Sequence, residues 1–159
     1  MNKEKIKQII IAIIIPLAVG GLSAFLTKDG TKAFETINKP TLSPPSIVFP
    51  IVWTILYILM GLASYFIYRN DDYNLRFDRK NALLIYGIQL IFNFFWSIIF
   101  FNLKTYYFAF IWLLIMWALI FILLMLSKKI DKKAFYLLIP YFIWTTFAGY
   151  LNISIALLN

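Results

Sequence analysis

At 159 residues, 62% of them hydrophobic and 19% aromatic, the chain is too apolar for a soluble domain, in which apolar residues make up about half. Its net charge of +8 sits in short segments between apolar runs, where anionic lipid headgroups rather than nucleic acid are the natural counterpart. Cysteine and histidine are absent, which excludes disulfides, thiolate nucleophiles, imidazole bases and histidine-held metals or haems, and leaves the redox compartment unread.

Five apolar stretches can be drawn, at about 6–26, 47–69, 82–101, 106–126 and 134–158. At ~1.5 Å per residue each is long enough for a helix to cross a hydrocarbon core of about 30 Å. None shows the alternation of a barrel strand, and in lipid the backbone must satisfy its own hydrogen bonds. The chain therefore reads as one domain over 1–159, an all-α integral membrane protein built as a bundle of five transmembrane helices.

Residues 1–8 form a basic tail with Lys3, Lys5 and Lys7. The apolar run behind it is longer than a signal-peptide core and has no clean small-x-small ending, so it reads as the first span. Pro16 predicts a kink that frees the carbonyl of Ala12 for a neighbouring helix or water. Gly20 and Gly21 offer a point of close packing. The connection 27–46 is the longest; Asp29-Gly30 signals a turn, and residues 31–37 have room for one or two helical turns. A connection of this length in so small a membrane protein is seldom idle.

The second helix can start only near Ser46, because Pro40, Pro44 and Pro45 push the residues before them out of the α region. Pro50 then falls in its first turn. Trp53, Tyr57 and Gly61 follow at spacings of four, with Ser64 three further on, so two aromatic rings stand above a small-residue notch on one face. Such a face suits helix packing or a flat apolar ligand. The connection 69–81 mixes Arg76, Arg79 and Lys80 with Asp71, Asp72 and Asp78 and reads as a solvated loop.

On the third helix Gln89, Asn93 and Ser97 form a polar stripe at intervals of four. Polar groups in lipid turn to the bundle interior. There they either bond between helices, at about 0.6–2 kcal/mol per contact, or recognise a polar ligand group. The tight connection 102–105 predicts that helices three and four are antiparallel neighbours. Helix four, with Trp112 and Trp117 but almost no polar side chain, is scaffold and a candidate homodimer face. Residues 127–133 hold four lysines and Asp131. Helix five contains Pro140, a second expected kink, then Trp144, Ala148 and Leu151 on one face beside Thr145, Gly149 and Asn152 on the next.

Eleven of the fifteen Lys and Arg fall in the tail, the second connection and the fourth. For a bacterial plasma membrane the positive-inside rule puts the N-terminus in the cytoplasm, and five spans then put Asn159 and the long first connection outside. The uncharged cores 9–26, 47–68, 82–101, 106–126 and 134–158 contain no Asp, Glu, Lys or Arg. That weighs against charged-ring channels and proton-coupled transport. It also leaves tyrosine, with an ordinary pKa of about 10, as the only titratable group, which is ill suited to acid–base catalysis.

Three blocks of residues carry a family resemblance. Pro44-Pro45-Ser46, Phe49, Val52-Trp53, Leu56-Tyr57 and Gly61 resemble the second-helix signature of the TspO/MBR family, whose members are called translocator proteins, tryptophan-rich sensory proteins or peripheral-type benzodiazepine receptors. Phe92-Asn93-Phe94-Phe95-Trp96-Ser97 with Phe100-Phe101 is similar to its third helix. Pro140-Tyr141, Trp144, Phe147-Ala148 and Tyr150-Leu151-Asn152 are similar to its fifth.

The resemblance implies a cavity among helices two, three and five, closed by the 27–46 connection. Its expected ligand-binding residues are Phe34, Pro44, Trp53, Tyr57, Asn93, Ser97, Trp144, Ala148 and Asn152, with Asn93 facing the cavity. The ligands it implies are porphyrins such as protoporphyrin IX or haem, together with isoquinoline carboxamides and benzodiazepines; no resident cofactor or metal is expected. Light- and oxygen-dependent porphyrin degradation, with Trp53 and Trp144 in the matching positions as electron donors, is the enzymatic alternative, and a structural assembly subunit is the third. The chain departs from the family where relatives often carry Trp or Tyr around Ala33 and Phe34, and Trp at Leu42, so the closure is expected to seal differently. Members that recognise cholesterol have a C-terminal Tyr followed closely by a base, whereas no Lys or Arg follows Tyr150.

Overall fold

The computed structural model describes residues 2–159, and its regular structure is helical: α1 (Lys3–Leu26), α2 (Lys28–Phe34), α3 (Val48–Tyr68), α4 (Arg76–Ser97), α5 (Tyr106–Ile130) and α6 (Lys132–Leu158). A 3-10 turn at Tyr73–Leu75 leads into α4, and a π-helical turn at Ile98–Asn102 continues it. Apart from the short α2, these make five helical segments long and apolar enough to cross a membrane.

The five long helices close into a ring in the order α1, α3, α6, α5, α4, with α4 returning to α1 and also touching α3 across the middle. What lets α1 and α3 meet is Gly61. A Cβ built there would lie 2.6 Å from the Ala12 carbonyl oxygen and 2.6 Å from Ile13 Cα. That carbonyl is the one Pro16 deprives of its helical donor, so the helix crosses where its partner has no side chain. Both α1 and α6 run on through their prolines as single helices. Inside the ring Met60, Ile67, Leu113, Met116, Ile120, Leu123, Leu138 and Tyr141 are essentially buried, while Ile11, Ile14, Phe108, Ile111, Leu114, Ile115 and Ile143 point outward. That is the pattern of a bundle solvated by lipid.

The structure shifts three connections. Helix α2 starts directly after α1 and contains Asp29 and Gly30, so the expected turn there is corrected. Gly30 serves close approach instead, since a Cβ on it would sit 2.6 Å from the Phe101 carbonyl oxygen. Residues 76–81 belong to α4 rather than to a solvated loop. The approach to that helix is shaped by Asp72, which accepts a hydrogen bond from Asn74 N at 2.9 Å, and Asp78 lies in its first turn. Between α5 and α6 only Asp131 is non-helical; its carboxylate caps α6 by accepting from Lys133 N at 2.7 Å. Helices α4 and α5 are antiparallel neighbours as expected, joined through Lys104 in the left-handed region at φ 53°.

Hydrogen bonds tie the ends of the bundle. Asn70 Nδ2 donates to the Ile130 carbonyl at 2.8 Å, joining the second and fourth connections at the end that also holds the N-terminal tail. At the opposite end Asn102 Nδ2 donates to Leu26 O at 3.0 Å. There the loop after α2 is clasped to the last residues of α6: Asn38 N donates to Asn159 Oδ1 at 3.0 Å, and Asn159 Nδ2 donates to Asn38 O at 2.9 Å.

Candidate ligand-binding site

Below the α2 segment the ring encloses a cavity of about 450 Å³, within the range of small-molecule pockets. Its walls follow from helical spacing. On α3, Phe49, Trp53 and Tyr57 recur every four residues; on α6, Trp144, Ala148, Leu151, Asn152 and Ile155 form one stripe. The end of α4 and its π-helical turn add Trp96, Ser97, Phe100 and Phe101. Helix α1 supplies small groups, Gly20, Ser23 and Ala24, with Thr27 just beyond its end, and α2 covers the top with Lys28, Thr31 and Phe34.

Aromatic contacts fix these walls. The rings of Trp53 and Tyr57 are 5.6 Å apart with planes 31° apart, and Phe49 meets Trp144 edge-on at 6.0 Å. Opposite them Trp96 stacks on Phe100 at 5.2 Å. Phe34 of α2 reaches down to Phe100 at 5.7 Å and Phe101 at 5.5 Å, and the Lys39 ammonium lies over the Phe34 ring, 4.6 Å from its centroid. The closing segment is thus anchored by the Phe34 ring; Leu42 is 67% exposed and does not line the cavity.

Behind Tyr57 runs a buried polar chain. Tyr57 OH donates to Asn93 Oδ1 at 2.7 Å, Asn93 Nδ2 donates to Tyr141 OH at 3.1 Å, and Tyr141 OH donates to Gln89 Oε1 at 2.6 Å. Gln89, Asn93 and Tyr141 are all almost wholly inaccessible, so the chain orients the Tyr57 ring from within protein. From the other side Gly20 clamps it: a Cβ there would fall 2.1 Å from Tyr57 Cε2. Asn152 is likewise occupied in support, accepting from Trp96 Nε1 at 3.1 Å and donating to Tyr106 O at 2.8 Å. Among the described residues Trp144 Nε1 has no hydrogen-bond partner, and it is enclosed by protein rather than exposed on the cavity surface.

Of the residues expected from the sequence, Phe34, Trp53, Tyr57, Ser97, Trp144, Ala148 and Asn152 line the cavity. Asn93 does not; it lies behind Tyr57. Pro44 is half-buried in the loop before α3 and also stays off the wall. The α1 contribution went unread, although Gly20, Ser23, Ala24 and Thr27 are small residues at helical spacing and carry that signal. Chemically the cavity is a largely aromatic and apolar slot, and the charged side chains that line it, Lys28 and Glu35, lie at its closing segment.

The TspO/MBR family profile matches residues 12–158. A tryptophan-rich protein TspO of Chlorobaculum tepidum is 33% identical over 100% of this chain and 99% of its own. The tryptophan-rich sensory protein of Cereibacter sphaeroides is 34% identical over 79% of this chain and 76% of its own. The translocator protein of Bos taurus is 30% identical over 87% and 82%.

Proposed function

The chain belongs to the TspO/MBR family, and from that premise we propose that it is a receptor- or translocator-like protein binding tetrapyrroles, protoporphyrin IX or haem, and isoquinoline carboxamide or benzodiazepine-type ligands in the cavity closed by the 27–46 segment. It is an integral, multi-pass membrane protein. The observation that supports the ligand class is the aromatic slot itself, with Trp53, Tyr57, Phe49 and Trp144 among its lining residues. Ala148 leaves room beside Trp144. A titration of the purified protein with protoporphyrin IX in the dark, read by visible absorption, is expected to give a saturable spectral shift. No saturable shift would reject the proposal and favour an assembly subunit.

A second reading rests on Trp53 and Trp144 lining the same cavity. An indole can pass an electron to a photoexcited porphyrin without an acid or base, with oxygen as the terminal oxidant. Illuminating the same titration is expected to bleach the porphyrin to a defined product if this occurs. Trp53→Phe and Trp144→Phe should then each slow bleaching while keeping most of the affinity, because Phe retains the aromatic face but is far harder to oxidise; bleaching at the wild-type rate in the double variant removes both residues from the reaction. The proposed setting is a bacterial plasma membrane with the N-terminus cytoplasmic and the C-terminus outside. The outward apolar face of α5, with Phe108, Ile111 and Ile115, is the proposed homodimer contact.

A further inference from the structure

At the end of the bundle opposite α2, an open groove of about 800 Å³ lies between the ends of α1 and α3 and the beginning of α4. Arg69, Arg76, Arg79 and Lys80 line it against a single carboxylate, Asp71. Among the described residues none of these bases forms an ion pair. Arg79 is half-buried and held in place, its guanidinium donating to the Asn70 carbonyl. Arg69 and Arg76 are positioned without consuming their hydrogen-bonding edges. The Arg76 guanidinium lies over the rings of Tyr73 at 4.3 Å and Phe77 at 4.9 Å, and that of Arg69 over Phe66 at 5.6 Å and Tyr65 at 5.8 Å. Guanidinium groups fixed by stacking with their N–H forks free suit a phosphate.

The apolar part of the lining decides which phosphate. Tyr68 is the last residue of α3 and Phe77 lies in the first turn of α4. Both line the groove and are strongly exposed, at 58% and 66%, and Leu83 continues the apolar side one to two turns further along α4. Along α4 the lining runs Arg76, Phe77, Arg79, Lys80 and then Leu83, so bases and an aromatic ring share the mouth and an aliphatic side chain follows on the side toward the hydrocarbon, the order of a phospholipid headgroup and chain. We propose that this groove is a binding site for an anionic phospholipid, its phosphate held by Arg69, Arg76 and Lys80 and its acyl chain leaving past Leu83, which shares the α4 face of Arg76 and Lys80. A free phosphate ester would use the bases but not the apolar side.

The test uses the full chain in detergent, titrated with labelled phosphatidylglycerol or phosphatidylcholine. Phosphatidylglycerol should bind saturably and at least several-fold more tightly than phosphatidylcholine; a rise proportional to lipid overturns the proposal. Arg69→Gln/Arg76→Gln should abolish the preference. Lys128→Gln/Lys132→Gln, which removes the same charge at the same end but outside the groove, should keep it. Equal loss in both pairs means general electrostatics and overturns the site, as does an unchanged preference in the arginine pair. Should the arginine pair fail to fold, competition on the wild-type protein decides. Excess inorganic phosphate, or a short acidic peptide, is expected to leave the labelled lipid bound at constant ionic strength; full displacement by either overturns the lipid assignment.

Discussion

Single residues around Tyr57 and Trp144 allow the sharpest tests. Gly20 and Gly21 are neighbours in sequence, yet a Cβ on the first strikes the Tyr57 ring and one on the second meets nothing within 4 Å. Gly20→Ala is therefore expected to displace the ring, break its bond to Asn93 and lower both the melting temperature in detergent and ligand affinity. Overpacking of this kind costs roughly 1–3 kcal/mol. Gly21→Ala should leave affinity unchanged and hold or raise the melting temperature, given the helix preference for Ala over Gly of up to about 1 kcal/mol. Equal behaviour of the two variants would contradict the contact. Ala148→Leu is predicted to fill the slot beside Trp144, weakening porphyrin binding by about 1–3 kcal/mol, five- to some hundred-fold in Kd, with little change in melting temperature. Loss of stability with affinity intact would take Ala148 off the ligand face. The polar stripe of α4 illustrates how far sequence reasoning reached at this scale. Its spacing tells that Gln89 and Asn93 face inward, but inward includes both cavity and packed protein. Asn93 went to the latter because Tyr57, four residues after Trp53 on α3, stands between it and the open space.

At the scale of elements, the five spans were legible because uncharged runs of this length have one economical structure in lipid. Their ends were not. Lys128, Lys129, Lys132 and Lys133 lie within α5 and α6, because long basic side chains reach the headgroups while their backbone stays helical. The asparagine clasp between the loop after α2 and the end of α6 also escaped the sequence, since nothing local pairs residues 121 apart. It yields a prediction for the closing segment. Asn38→Ala removes its side-chain bond to Leu158 O at 3.3 Å but keeps the backbone half of the clasp. Asn159→Ala removes both bonds to the Asn38 backbone. Hydrogen exchange of residues 28–38 should accelerate in both variants and more in Asn159→Ala, with bound-ligand dissociation following the same order. Unchanged exchange in Asn159→Ala would show that Phe34 and its aromatic contacts alone keep the segment down.

For the whole molecule, the charge asymmetry and the fold make one statement together. The tail, the second connection and the fourth gather at the same end of the bundle, and that end carries eleven of the fifteen bases. A reporter fused after Asn159 is expected to be active outside the cytoplasm and one inserted at residues 70–72 inside; the reverse labelling would overturn the proposed orientation. The ring order itself was unreadable, because apolar helices in lipid do not announce their neighbours. That order has a consequence for how the molecule is made. Helix α6, synthesised after the other four spans, takes its place between α3 and α5 and brings Tyr141 to the side chains of Gln89 and Asn93. Until it inserts, a chain of four spans carries two amides into the bilayer without that hydroxyl, and the site lacks the wall that holds Trp144. A nascent chain stalled before α6 thus lacks one wall of the cavity and leaves Asn93 Nδ2 and Gln89 Oε1 without the hydroxyl that joins them in the finished bundle.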